Sequence, residues 1–246
     1  MNNQTMHTLP GPSQFPATRW TLVVAATDPQ RKETRSALAS LCENYWYPLY
    51  AYLRRRGYAA DQAQDLTQDF LIRVLEGRYL DRAAPEKGRF RSFILTSLKF
   101  FVADEDDRQR AQKRGGGVVV PLEFSSGEER YQHEPAHYET PERIFERRWA
   151  LAALDRVLEK LRGEFVRHGR AEHFERLKVF LLGQSDAPYV ALAREMNTSE
   201  GALKVAIHRL RKRYRDLFRQ EIADTVADPA EVDSELRYLA DVLTRK

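Results

Sequence analysis

The segment from Pro188 to Phe218 constrains the fold most strongly, because its pattern predicts two helices joined by a tight turn. The first helix is predicted over Tyr189–Met196, and Asn197 then supplies a residue that tolerates a positive φ. Ser199 suits the N-cap of the second helix, since its hydroxyl can accept a hydrogen bond from a first-turn amide. The apolar spacing of this second helix predicts one buried face, at Leu203, Ala206, Ile207, Leu210, Tyr214 and Leu217.

The opposite face of the second helix is basic, with no acidic residue from Lys204 to Arg215. A helix–turn–helix places the start of its second helix in the major groove of DNA while basic side chains bind phosphates. A helical hairpin with a solvated basic face is the alternative. The short turn at Asn197, the small Ala193 at the helix crossing and the one-sided charge favour the DNA-binding interpretation.

Composition limits the class of protein. The chain has 246 residues, of which 42% are hydrophobic and 31% charged, as is typical of a folded globular protein. No apolar run approaches the roughly 20 residues of a membrane helix, and the N-terminus does not resemble a signal peptide. We therefore expect a cytoplasmic protein. The net charge of +4 permits a polyanionic partner but does not establish one.

The hydrophobic periodicity predicts an all-α chain of two helical domains joined by a flexible linker. The first domain covers residues 18–114, and its segments are predicted at 19–26, 32–42, 49–56, 62–76 and 89–114. Pro48 is expected to open or kink the segment that follows it. Glycine and proline without a helical period predict the linker at 115–140. The second domain covers 141–246, with helices predicted at 143–162, 174–182 and 229–243 in addition to the helix–turn–helix.

Nothing in the sequence indicates an active site, a cofactor or a metal. His133 and His137 have a spacing that suits a metal on a helix, but Pro135 lies between them. The three glycines at 115–117 are not followed by the Gly-Lys-Ser/Thr of a phosphate loop. The single cysteine, Cys42, excludes an internal disulfide and a Cys-based zinc cluster, and we expect it to pack in the core.

Three segments, in this order, resemble the sigma-70 family of bacterial RNA polymerase sigma factors. They are DQAQDLTQDFLIRVLE (61–76), GRFRSFILTSLKFF (88–101) and YVALAREMNTSEGALKVAIHRLRKRY (189–214). The chain is most similar to the compact extracytoplasmic-function (ECF) type, which keeps only regions 2 and 4, and the resemblance covers about 41–113 and 150–221. It implies a polymerase subunit, not an enzyme, that binds core RNA polymerase, recognises promoter DNA and helps to open it. It leaves an anti-sigma factor open as a further partner.

The resemblance assigns two surfaces to the first domain. The core polymerase-binding residues would be Asp65, Gln68, Asp69 and Arg73. The −10 element would be opened by capture of flipped bases on Phe100 and Phe101, which cannot both face the core because they are adjacent on one helix. The strand backbone would be held by Lys99, Arg108, Arg110, Lys113 and Arg114. The acidic run at 104–107 departs from the family, because its carboxylates repel phosphates unless neighbouring arginines neutralise them.

In the second domain the helix–turn–helix resembles region 4, which reads the −35 element. The resemblance assigns Glu200, Lys204 and His208 to base edges, and Arg209, Arg211 and Lys212 to phosphates. The linker at 115–140 resembles the segment that threads the polymerase channel. The helix at 229–243 lies beyond the minimal ECF plan and has either a regulatory or a packing role.

Two other functions remain open. A conventional DNA-binding regulator would use only the helix–turn–helix and dimerise through its N-terminal helices. A helical adaptor would make no nucleic-acid contact at all. The region 2 pattern favours the sigma-factor interpretation, because a dimerising regulator does not need it.

Overall fold

The computed structural model describes residues 32–76, 89–111, 127–132, 140–181 and 189–244. These residues form helices and connecting turns with no strand among them, so the predicted all-α class is confirmed. The predicted segment at 19–26 and the histidines at 133 and 137 lie outside them. The α-helices are α1 (Lys32–Arg55), α2 (Ala60–Leu75), α3 (Phe90–Ala111), α4 (Gly127–Gln132), α5 (Pro141–Arg167), α6 (Ala171–Leu177), α7 (Tyr189–Glu195), α8 (Glu200–Ala223) and α9 (Val232–Thr244).

Helix α1 is continuous through Pro48, so the prediction that a second segment opens there is wrong. Proline removes one backbone hydrogen bond from a helix interior. Residues on both sides of it are buried, among them Tyr45, Leu49 and Leu53, and this burial offsets the lost bond. Gly57, with φ of +97°, follows the end of the helix as predicted.

Several helix ends differ from the predictions by a few residues. Helix α5 begins at Pro141, because the Thr140 hydroxyl caps it by accepting a hydrogen bond of 3.2 Å from the Arg143 amide. A short 3₁₀ helix at Lys178–Phe180 follows α6, and another at Pro229–Glu231 precedes α9.

The described helices bury two hydrophobic clusters, and α5 contributes to both. The first cluster joins α1, α2 and α3 to Phe145 and Trp149 in the first half of α5. It also includes Leu239 of α9 and residues at the end of α8. The second cluster joins Val157 and Leu161, in the second half of α5, to α6, α7 and α8. Helix α5 therefore packs against the N-terminal helices through its first half and against α6, α7 and α8 through its second half.

A short helix, α4, lies within the predicted linker and packs against α1. A Cβ atom built on Gly127 would lie 2.5 Å from the Trp46 ring, so only glycine fits this approach. Glu128 forms an ion pair of 2.9 Å with Arg54 and accepts a hydrogen bond of 2.5 Å from the Tyr50 hydroxyl. The bond from Arg54 lowers the pKa of Glu128. The prediction that 115–140 lacks helical structure is therefore wrong for residues 127–132.

Buried charges connect the start of α3 to α5 and α9. The guanidinium of Arg91 has no exposed surface and pairs with Glu146 of α5 and with Glu235 of α9. Glu235 is equally buried and also pairs with Arg89 at 2.5 Å. The Arg91 guanidinium lies 5.0 Å from the centre of the Trp149 ring. Burial raises the pKa of Glu146, while Arg91 acts in the opposite direction. We call Arg89, Arg91, Glu146 and Glu235 the arginine–glutamate cluster.

Candidate nucleic-acid interface

The segment predicted as a helix–turn–helix consists of α7, a turn at 196–199 and α8. The turn is closed by the Thr198 amide, which donates to the Ala193 carbonyl at 2.9 Å, and by the Asn197 amide, which donates to the Arg194 carbonyl at 3.1 Å. These two bonds and the φ of 50° at Asn197 form a Schellman-type end, which confirms the predicted left-handed residue. The Ser199 hydroxyl caps α8 by accepting a bond of 3.2 Å from the Ala202 amide, also as predicted.

The packing of α8 fixes which of its residues are exposed. Ala193 of α7 is only 4% exposed, so its small side chain lets the two helices approach. Leu203, Ile207 and Leu210 are buried in the second cluster, and the basic face of α8 points away from them. The exposed members of this basic face, defined here and kept below, are Lys204, His208, Arg209, Arg211, Lys212 and Arg215.

The charges of the basic face are not equivalent. Lys204 pairs with Glu200 at 2.5 Å, and this hydrogen bond raises the pKa of the lysine. Arg211 donates from Nε at 3.2 Å and from Nη2 at 3.0 Å to the Phe180 carbonyl, so part of its guanidinium anchors α8 to the 3₁₀ helix. Among the described residues, Arg209 and Lys212 have no such anchor and are exposed to solvent.

The predicted polymerase-binding surface on α2 is only partly exposed. Asp65 and Asp69 lie at the surface, whereas Gln68 is 6% exposed, so the prediction that its side chain takes part in an exposed binding surface is wrong. The reason is that α2 packs against both α1 and α3, which widens its buried side beyond one apolar stripe. Burial raises the pKa of Asp69, and the positive charge of Arg73 acts against that shift.

Arg73 joins α2 to the acidic run of α3. Its guanidinium lies 4.7 Å from the centre of the Phe101 ring and pairs with Glu105 at 3.4 Å. Glu105 also pairs with Arg108 at 2.7 Å, and Asp106 accepts a hydrogen bond of 2.8 Å from the Tyr58 hydroxyl. Two arginines thus neutralise part of the acidic run, as phosphate binding nearby would require.

The two adjacent phenylalanines of α3 point in different directions. Phe100 is 60% exposed, whereas Phe101 is fully buried and lies 5.7 Å from Phe70 between ring centres. The prediction that both rings are available to capture bases is therefore wrong for Phe101, because the helical turn of about 100° per residue directs it into the core. Lys99 is half-exposed and pairs with Glu142 at 2.6 Å.

The remaining predicted contacts fall at the limit of the described residues. Arg110 lies in α3, but its side chain is outside the described part, as are Lys113 and Arg114. Among the described residues, no group of three or more His, Cys, Asp or Glu side chains could hold a metal ion. No described helix is both long and apolar enough to cross a membrane. Cys42 packs against the first cluster, and burial raises its pKa to about 11.

Two further residues lie beside Lys204 and His208 on α8 and were not among the predicted contacts, namely Gly201 and Val205. Both are exposed on α8. The helical register could have revealed them, because Gly201 lies three residues before Lys204 and Val205 lies three residues before His208, which places all four on one stripe of the helix. Neither residue carries a charge, so the basic pattern of α8 does not include them.

Comparison of the chain with protein-family models, with curated proteins and with solved structures found no match. A function must therefore be inferred from the residues of this protein and from the resemblance in its sequence.

Proposed function

We propose that the protein is a sigma factor of the ECF type, which binds core RNA polymerase and directs initiation at promoters with defined −10 and −35 elements. The observation that carries this proposal is the geometry of α7 and α8. A left-handed turn and a capped second helix present a basic face that no neighbouring described helix covers. Such a helix can enter a major groove with its first two turns while later basic residues bind phosphates.

On this proposal, contacts along α8 divide by position. Glu200, Lys204 and His208 lie in its first turns, where side chains reach base edges. Arg209 and Lys212 bind phosphates. Arg211 positions α8 through the Phe180 carbonyl, and its remaining donors bind the DNA backbone. A repeated, buried apolar side at Leu203 and Ile207 fixes this orientation.

The N-terminal helices supply the second half of the proposed function. The exposed carboxylates of Asp65 and Asp69 form the polymerase-docking surface, with Arg73 at its edge. Phe100 is the aromatic side chain that stacks on a base of the opened −10 strand, and Lys99 and Arg108 hold the strand backbone. Gln68 and Phe101 act in the folding of this surface, since both are buried.

The two hydrophobic clusters correspond, in this proposal, to the two functional units. The first carries the region 2-like surface of α2 and α3, and the second carries the region 4-like helix–turn–helix. Helix α5 connects them, and α9 packs on the first unit through Leu239. We propose a cytoplasmic protein whose partners are core polymerase and promoter DNA, with an anti-sigma factor as a further candidate.

A conventional helix–turn–helix regulator that dimerises through its N-terminal helices is the second candidate. The observation that favours it is an imbalance between the two surfaces. The helix–turn–helix is complete, whereas burial removes Gln68 and Phe101 from the region 2-like surface. A regulator would need only the helix–turn–helix.

Reconstitution with bacterial core polymerase on a library of random promoter sequences tests the function. We expect transcripts that start downstream of a shared pair of sequence elements, and none from core polymerase alone. Initiation no greater than that of core alone would rule out a sigma factor. Sequence-specific binding of a dimer without polymerase would instead identify the regulator.

Alanine variants of Lys204 and Lys212 are expected to affect DNA binding differently. Lys204→Ala should change the preferred base at one position of the −35 element and cost about 1–3 kcal/mol on the preferred sequence. Lys212→Ala should weaken all sequences equally and reduce the slope of log affinity against log salt by about one. Competition binding of the holoenzyme across single-base variants and salt concentrations measures both effects. Equal losses for the two variants on every sequence would contradict the assignment.

A further inference from the structure

Gly201 is a helical glycine that the fold itself does not require. It lies in the first turn of α8 with an ordinary helical φ, since Gly57 and Gly169 are the described glycines with a positive φ. A Cβ atom built on Gly201 would meet nothing within 4 Å. Alanine would favour the helix more than glycine does, because glycine loses more backbone freedom on folding. The fold therefore leaves open space beside Gly201. This space is available to a ligand that approaches α8 from outside.

Val205 stands one turn further along the same stripe. Its side chain is 49% exposed, although the neighbouring residues Leu203 and Ile207 are buried. A single exposed valine is ordinary on a protein surface and proves nothing alone. Its position is informative because residues 201, 204, 205 and 208 have the i, i+3, i+4, i+7 spacing of one helix face. Along this stripe a glycine without a side chain is followed by a lysine, an apolar valine and a histidine.

We propose that Gly201 allows the first turn of α8 to approach the DNA closely, and that Val205 contacts the methyl group of a thymine in the major groove. This inference rests on the proposed function of α8 as a DNA-recognition helix. Glycine is the residue used where a backbone must closely approach a ligand. The thymine methyl is the apolar group that base edges offer in the major groove, and valine has no hydrogen-bonding group with which to read another base.

Gly201→Ala separates this role from a structural one. The variant should unfold about 1–4 °C higher than the wild type, because alanine favours the helix. It should also lower the affinity of the holoenzyme for its selected promoter about fivefold or more, because the added methyl group forces the helix away from the DNA. A lower unfolding temperature, or unchanged affinity, would overturn the role of Gly201.

Gly163 provides the matched control. It is a helical glycine of α5, and a Cβ atom there would lie an ordinary 3.7 Å from the Arg167 guanidinium. Gly163→Ala should raise the unfolding temperature in the same way and leave promoter affinity unchanged.

Replacement of thymine by uracil tests Val205, because uracil lacks only the methyl group. Promoters are first selected by the wild-type holoenzyme, and each thymine of the −35 element is then replaced in turn. At one position uracil should weaken binding by about fourfold, the value of one buried methyl group. Val205→Ala should bind the two DNAs equally, whereas Val190→Ala, which alters an exposed valine of α7, should keep the difference.

The outcomes distinguish this inference from the function on which it rests. If the wild-type holoenzyme selects no sequence, the proposed function and the inference both fail. If it selects a sequence but shows no uracil effect, or if Val205→Ala retains that effect, the thymine contact alone is wrong.

Discussion

Replacing Glu235 with alanine is expected to destabilise the protein by about 3–5 kcal/mol, because the change leaves a buried guanidinium without one of its two partners. Arg91 and Glu235 both have fully buried side chains, and Glu146 alone would remain to neutralise Arg91. Arg89 would also lose its partner on α9. Urea-induced unfolding followed by circular dichroism measures the free energy of unfolding directly.

Asp233 provides a control on the same helix. Its carboxylate is two residues from Glu235, is exposed and pairs with Arg219 at the surface. Asp233→Ala should therefore leave the free energy of unfolding close to that of the wild type, because solvent screens an exposed ion pair. Comparable losses for Glu235→Ala and Asp233→Ala would contradict a dominant role for the buried cluster.

The arginine–glutamate cluster also explains how α9 is integrated with the rest of the chain. Arg91 and Glu235 are separated by 144 positions in sequence, yet Arg91 also pairs with Glu146 of α5, and α9 packs against that same helix. The C-terminal helix therefore has a packing role in the first cluster, one of the two roles that the sequence left open. A sequence pattern could not reveal this, because charged residues are normally solvated and nothing local marks Glu235 as a buried partner.

The accuracy of sequence reasoning here depends on how local the relevant forces are. The turn at Asn197 and the cap at Ser199 were predicted correctly, because a left-handed residue and an N-cap act within a few residues. The burial of Gln68 was missed, because it depends on α2 packing against two helices at once. The continuity of α1 through Pro48 was missed for the same reason. Both sides of that proline are stabilised by distant partners.

Adjacent residues of α3 allow the core and the proposed strand-opening surface to be separated. Phe101→Ala should cost about 3–5 kcal/mol in the free energy of unfolding, because it removes a buried ring that packs on Phe70. The same change removes the contact between that ring and the Arg73 guanidinium. Phe100→Ala should alter the free energy of unfolding by only about 0.5 kcal/mol, since that ring is 60% exposed.

For promoter opening, the proposed function predicts that the exposed Phe100 is the ring that contributes, although its effect on stability is the smaller of the two. Phe100→Ala should destabilise the open complex relative to the closed complex by the value of one stacked base, about 1–3 kcal/mol, and so lower the fraction of open complex, while closed-complex binding is retained. Fluorescence of 2-aminopurine placed in the −10 element of a selected promoter reports opening, and a competition assay reports binding. Normal opening by the Phe100→Ala holoenzyme would remove this ring from strand capture. If Phe100→Ala and Phe101→Ala reduced the free energy of unfolding equally, both rings would belong to the core. A helix can bury two adjacent side chains only where neighbouring helices cover both of the directions in which they point.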